Sequence, residues 1–172
     1  EATGMANAFK KRFGTRIRII PAGTSIGRML PMVTGKAKLG FLANEAYFAA
    51  EGSYDFAAET WGPQDIRIVL AKPTSNAIAV AADVGINTVY DLKGKRLGYV
   101  KGNPSVNVKH DAYLAFAGLT RSDIDVVWFG SYSAMKTALL ANQIDGFSSV
   151  TTSANMREIE ASPRGLWYAQ VP

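Results

Sequence analysis

The sequence contains no cysteine and a single histidine. The first absence excludes a thiolate metal site, a disulfide framework and a cysteine nucleophile within this chain, and leaves the redox compartment open. The second leaves His110 as the sole candidate imidazole base. No metal-ligand cluster or serine elbow accompanies it, so it reads as an ordinary helix residue beside Asp111, and neither a catalytic residue nor a metal site is assigned. Phosphate fingerprints are missing too: neither G-x-x-x-x-G-K-[ST] nor G-x-G-x-x-G occurs. That moves the expected ligand from a nucleotide to a small organic anion, with no cofactor. No apolar run reaches the ~18 residues that crossing a bilayer requires, so the chain is not expected to span a membrane. The 19 Lys and Arg residues exceed the 14 acidic ones and give a net charge of +5, but they form no basic stripe interleaved with aromatics. No nucleic-acid partner is expected.

What is present is enough apolar material, 48% of 172 residues, to bury one substantial core or two small lobes. Spacing predicts a helix over 5–13 ended by Gly14, a strand at 16–20, and a turn at Pro21-Ala22-Gly23. Thr24 or Ser25 then caps a helix whose buried stripe is Ile26, Met29, Leu30 and Val33, with Pro31 expected to kink or split it. A strand at 39–43, a helix-like stretch at 45–50 and strands at 65–70 and 77–82 follow. The remainder alternates: strand 96–100, helix 104–117, strand 124–129, helix 132–141, strand 145–150. Alternation of this kind means a parallel sheet with right-handed crossovers.

The pattern is used twice. A shift of 107 positions without a gap puts Ala8-Phe9 on Ala115-Phe116, Ile17 on Ile124, Gly23-Thr24 on Gly130-Ser131, and Gly35 on Asn142. Two Rossmann-like lobes with a cleft between them are therefore expected: lobe one at 1–76, a crossover at 77–84 and lobe two at 85–172. The chain starts inside a helical pattern, so the first strand of lobe one and the return from lobe two are expected to lie outside it.

In open parallel sheets, ligands bind beyond the carboxyl ends of the strands. Three loops are candidates: Gly23-Thr24-Ser25, Gly102-Asn103-Pro104-Ser105 and Gly130-Ser131-Tyr132-Ser133. Each joins glycine for close approach to a polar side chain and the positive end of a helix. Asn103 before Pro104 fits a plain helix cap equally well. Arg28 and Lys101 are the nearest cations, Arg28 with the geometry to take a carboxylate through two bonds, and both also fit a solvated surface. Tyr47, Phe48, Tyr99, Trp128 and Tyr132 fit either a pocket wall or the core.

The stretches "IIPAGTSIGRMLPMVTGKAKLGFLANEAYFAA" (19–50), "DLKGKRLGYVKGNPSV" (91–106), "AFAGLTRSDIDVV" (115–127) and "ALLANQIDGF" (138–147) resemble the TAXI-type solute-binding proteins of tripartite ATP-independent periplasmic (TRAP) transporters. The resemblance implies an α/β, type II periplasmic-binding-protein fold whose two lobes close on a small carboxylate such as an amino acid, 2-oxo acid or dicarboxylate. It implies TRAP membrane subunits as partners, uptake driven by an ion gradient, no enzymatic activity, and a periplasmic location with a signal peptide upstream. Carried over by position, the ligand contacts would be Thr24, Ser25, Asn44, Asn103, Ser105 and Ser131, beside Arg28, Lys101 and Gly102 from the residues themselves. Two positions depart from the pattern. Gly102-Asn103-Pro104-Ser105 stands where a Gly-Ser-Gly-Thr-like loop is usual, and Lys38 replaces an acid that Asp145 retains. An effector-sensing domain of a transcription regulator, a subunit of an ABC importer and an enzyme on the same fold are the alternatives.

Overall fold

The computed structural model describes residues 2–59 and 61–172. α1 (Ala2–Phe13) carries Lys10, Lys11 and Arg12 in its last turn, where the helix dipole favours cations, and Gly14 follows in the left-handed conformation. Glu1, where the expected lobe one begins, lies outside the described residues, as does Thr60 within it. α2 (Ser25–Val33) starts where Thr24 Oγ1 accepts the Gly27 N–H at 3.0 Å. The expected split at Pro31 does not occur. Proline falls in the last turn of α2, where a missing N–H leaves little helix beyond it to lose. α3 (Glu45–Glu51) ends at left-handed Gly52.

Three segments expected as strands, 16–20, 39–43 and 65–70, join no ladder among the described residues. An apolar run becomes a strand only where a neighbour supplies backbone partners, and none lies beside these. Their side chains are correspondingly exposed, with Ile68, Val69 and Leu70 each near four-fifths accessible.

Among the described residues all five strands come from the second part of the chain: β1 (Asn76–Val80), β2 (Arg96–Val100), β3 (Asp125–Phe129), β4 (Gly146–Val150) and β5 (Trp167–Ala169). They form one sheet in the order β3-β2-β4-β1-β5. β2 pairs parallel with β3 and β4, while β1 runs antiparallel to both β4 and β5, so four of five strands share one direction. The parallel strands are connected through α4 (Pro104–Phe116) and α5 (Tyr132–Leu140), which supply the length that parallel pairing requires. The link from β1 to β2 holds only short 3₁₀ turns, which is why β1 stands reversed where the sequence pattern implied another parallel strand. The segment read as a crossover, 77–84, supplies most of this strand, with Ile78, Ala79 and Val80 fully buried. α6 (Ala154–Glu160) and β5 fall where no element was expected.

The sheet carries an apolar layer on each face. Leu97, Tyr99, Ile78 and Val80 pack with Leu114 of α4, and Ala79, Val100 and Phe147 pack with Met135 and Leu139 of α5 and Met156 and Ile159 of α6. His110 of α4 is wholly buried here. Its ring stacks on Tyr99 at 4.5 Å with 3° between planes, and burial lowers its pKa to about 4, so it is neutral core material. Asp145 accepts the Arg96 backbone N–H at 2.8 Å and pairs with the Arg96 guanidinium, bridging β2 to the start of β4. The 107-residue repeat persists in the helices: shifting α2 by that interval gives the bounds of α5, and Gly35 and Asn142 are both left-handed, at φ 71° and 57°.

Glycine in β4 reflects this packing. A Cβ on Gly146 would lie 2.8 Å from the Ala79 carbonyl oxygen and 2.6 Å from Val80 Cγ1, whereas Gly130 has nothing within 4 Å. Gly146→Ala is expected to lower the unfolding free energy by about 1–3 kcal/mol in a denaturant melt, and Gly130→Ala to change it far less. Equal effects would contradict the packing described.

Candidate functional site

The site is built at the starts of helices. β2 ends at Val100, Gly102 turns the chain at φ 64°, and Pro104 opens α4. Asn107, one turn into α4, clamps this corner: its Oδ1 accepts the Val100 N–H at 3.1 Å and its Nδ2 donates to the Val100 carbonyl at 2.8 Å. Lys101 N–H donates to the Phe129 carbonyl at 2.9 Å, tying the turn to the end of β3.

Four polar residues occupy the cap positions of α2, α3, α4 and α5, and they divide into two kinds. Thr24 and Ser131 cap their own helices, Ser131 Oγ accepting the Ala134 N–H at 3.4 Å. Asn44 and Asn103 make no side-chain cap. They reach across the chain instead: Asn103 Oδ1 accepts the hydroxyl of Ser25, and Asn44 Oδ1 accepts the hydroxyl of Ser105. The plain-cap reading of Asn103 therefore fails. Ser25, Asn103 and Ser105 are almost completely buried, and the Ile26 N–H donates to the Gly102 carbonyl at 3.3 Å. Val108 of α4 joins the small core of Met29, Phe48, Ala49 and Phe56, adding apolar contact to the same junction. A Cβ on Gly23 would approach Ser131 Cβ to 3.3 Å, so the starts of α2 and α5 also abut.

This arrangement leaves donors uncovered. The backbone N–H groups of Ser25 and Ser105 have no partner among the described residues, and both sit at positive helix ends. Bringing two such ends together is unfavourable unless negative charge or oxygen dipoles lie between them, and the Asn103 and Asn44 carbonyl oxygens supply only the latter. A small anion fits that environment.

The candidate residues are thus sorted. Ser25, Asn44, Gly102, Asn103 and Ser105 come together, while Thr24 and Ser131 flank them as caps. Arg28 is not a free cation: its guanidinium contacts Glu45 Oε1 at 2.7 Å and donates to the Phe41 carbonyl at 3.2 Å. Glu45, absent from the sequence candidates, is fully buried and demands this cation. Lys101 lies on the outer side of the turn and lines a recess with Tyr54, Asn107, Arg121 and Trp128. Lys109, one turn beyond Ser105, was also missed. Burial lowers its pKa while Glu45 acts against that shift. The i, i+4 spacing from Ser105 is the signal that would have found it. Of the aromatics, Phe48 and Tyr99 are core, Tyr132 packs edge-on against Phe147, Tyr47 is exposed, and Trp128 walls the recess. Among the described residues no cluster of His, Asp or Glu fits a metal, and no helix is long and apolar enough to cross a membrane.

The family described as NMT1/THI5 like matches residues 32–169, and the chain belongs to it. Its fold is the α/β fold of periplasmic binding proteins. The periplasmic aliphatic sulphonate binding protein SsuA from Escherichia coli is similar over 98% of this chain and 51% of that one, with a TM-score of 0.66 and 20% identity. The alkanesulfonate-binding protein SsuA from Xanthomonas axonopodis pv. citri, bound to MOPS, is similar over 98% and 55%, with a TM-score of 0.68 and 21% identity. An ancestral arginine-binding protein bound to arginine covers 99% of this chain and 70% of its own length, with a TM-score of 0.58 and 18% identity. The chain spans about half the length of the two sulfonate-binding structures. No curated protein matches it significantly in sequence. None of these findings carries the TAXI type or a TRAP carrier in particular.

If Arg28 serves Glu45 rather than a ligand, Arg28→Met leaves a buried carboxylate without its cation. A loss of about 2–3 kcal/mol is expected in a denaturant melt, less than for a fully buried pair because the Arg28 side chain is 35% exposed. The double variant Arg28→Met/Glu45→Leu is expected to recover most of it. An unchanged melt for Arg28→Met would return Arg28 to the list of free cations.

Proposed function

We propose that this chain is the solute-capturing part of an extracytoplasmic binding protein, serving an ATP-driven importer and holding a small anion, sulfonate or carboxylate, where α2 and α4 begin. The observation that carries this reading is the Ser25–Asn103 bond, which brings together the starts of α2 and α4, each with an uncovered N–H, at Ser25 and at Ser105. This bond and the Ser105–Asn44 bond join residues 78 and 61 positions apart, so solute binding and the closing of two lobes around it would be one event. No group in the site is poised for acid–base or nucleophilic chemistry: its members are hydroxyls, amides and backbone N–H groups, and His110 is sealed against Tyr99. Membership of the NMT1/THI5-like family and the likeness to sulfonate-binding folds support the ABC type. Delivery to a TRAP carrier is the second reading, favoured by the resemblance of residues 19–50 and 91–106 to the TAXI type.

Thermal-shift titration of the protein with alkanesulfonates, amino acids, 2-oxo acids and dicarboxylates tests the solute class. An anionic solute at a hundred times its Kd is expected to add about 2.7 kcal/mol of stability. Stabilisation by uncharged or purely cationic solutes alone would contradict the reading. Solute uptake that survives ATP depletion but collapses with the ion gradient would favour the TRAP alternative.

A further inference from the structure

A second recess, of about 330 Å³, opens along the later turns of α4, within the range of small-molecule sites. Lys109, Ala112, Tyr113 and Phe116 line it at i, i+3, i+4 and i+7, on one face of the helix. Asn76, which opens β1, and Val171, just past β5, close it from two strands that pair with each other. None of the six belongs to the cluster of Ser25, Asn44, Asn103 and Ser105, which uses only the first turn of α4. Two walls of the recess remain wet: Phe116 is 52% exposed and Val171 47%.

Against this apolar wall stands one under-paired cation. Lys109 is partly buried, and among the described residues its ammonium has a single long hydrogen bond, to Asn76 Oδ1 at 3.4 Å, and no ion pair. The Tyr113 hydroxyl is committed elsewhere, donating to the Asn76 carbonyl at 2.6 Å. Glu45 is the acid whose charge reaches Lys109, but it is held by Arg28 at 2.7 Å, and Arg28 acts on the ammonium in the opposite sense. Burial accordingly lowers the Lys109 pKa. An ammonium drawn out of water without a counter-charge is destabilised until an anion reaches it.

We propose that this recess is a second binding site, for an apolar monocarboxylate: the carboxylate pairs with Lys109 beside the Asn76 amide, and the hydrocarbon body lies along Ala112, Phe116 and Val171. The inference goes beyond the anion site at the helix starts and does not depend on it. A bare inorganic anion would pair the ammonium but leave Phe116 and Val171 in water. An uncharged apolar molecule would do the reverse, and a dianion would carry an unpaired charge against hydrocarbon. One charge on an apolar body meets both needs.

Calorimetric titration of the protein with hexanoate and benzoate, each against its primary amide, and with acetate measures the two requirements separately. At least one of hexanoate and benzoate is expected to bind about ten-fold tighter than its amide and than acetate. Lys109→Gln is expected to cut the preference over the amide below about three-fold. Ala112→Leu, an exposed change that fills the recess and keeps the charge, is expected to weaken the carboxylate by about ten-fold. Acetylation of lysines, read by peptide mass spectrometry, locates the ligand: the saturating carboxylate is expected to slow Lys109 and leave exposed Lys93 unchanged. Binding by none of the probes, equal binding of acid and amide, or acetate binding as tightly as the larger acids overturns the inference. Carboxylate binding that either variant leaves unchanged, or that leaves Lys109 acetylation unchanged, also overturns it by putting the ligand elsewhere.

Discussion

The bond from the Ser25 hydroxyl to Asn103 Oδ1 is the constraint on which the site depends. It joins the first residue of α2 to the cap position of α4, groups that are 78 positions apart in sequence and nearly inaccessible to solvent. Asn103 forgoes the capping bond its position invites, and Pro104 behind it offers no N–H, so the first turn of α4 keeps an uncovered donor at Ser105. Asn44 repeats the device by accepting from Ser105 rather than capping α3. Local helix stability is exchanged for a junction between distant segments.

The sheet makes that exchange mechanically possible. Parallel pairing of β2 with β3 and β4 sets the ends of β2 and β3 side by side, and Lys101 N–H fastens the first turn to the second. Asn107 then fixes α4 on the end of β2, so the position of Asn103 follows from a rigid corner rather than from a free loop. Behind it, the Arg28–Glu45 pair binds α2 to α3.

Much of this was legible in the sequence where local patterns decide local structure. The alternation after residue 96 gave every strand and helix through β4 to within a residue or two, and the 107-residue shift found equivalent helices down to their terminating left-handed residues. The failures share a cause. Strands at 16–20, 39–43 and 65–70 need edge partners that composition cannot certify, and the reversal of β1 depends on which strands become its neighbours. Glu45 and Lys109 escaped notice because burial, not motif, makes them consequential. The pairing of Arg28 was not legible for the complementary reason: a cation near a helix start looks free until its partner is seen.

The most direct test of the account is a double-mutant cycle on Ser25→Ala and Asn103→Ala, read as unfolding free energy. A direct buried hydrogen bond predicts a coupling of about 1 kcal/mol between the two changes. Strictly additive losses would mean that the two side chains do not join the helix starts, and the site built on their contact would not stand.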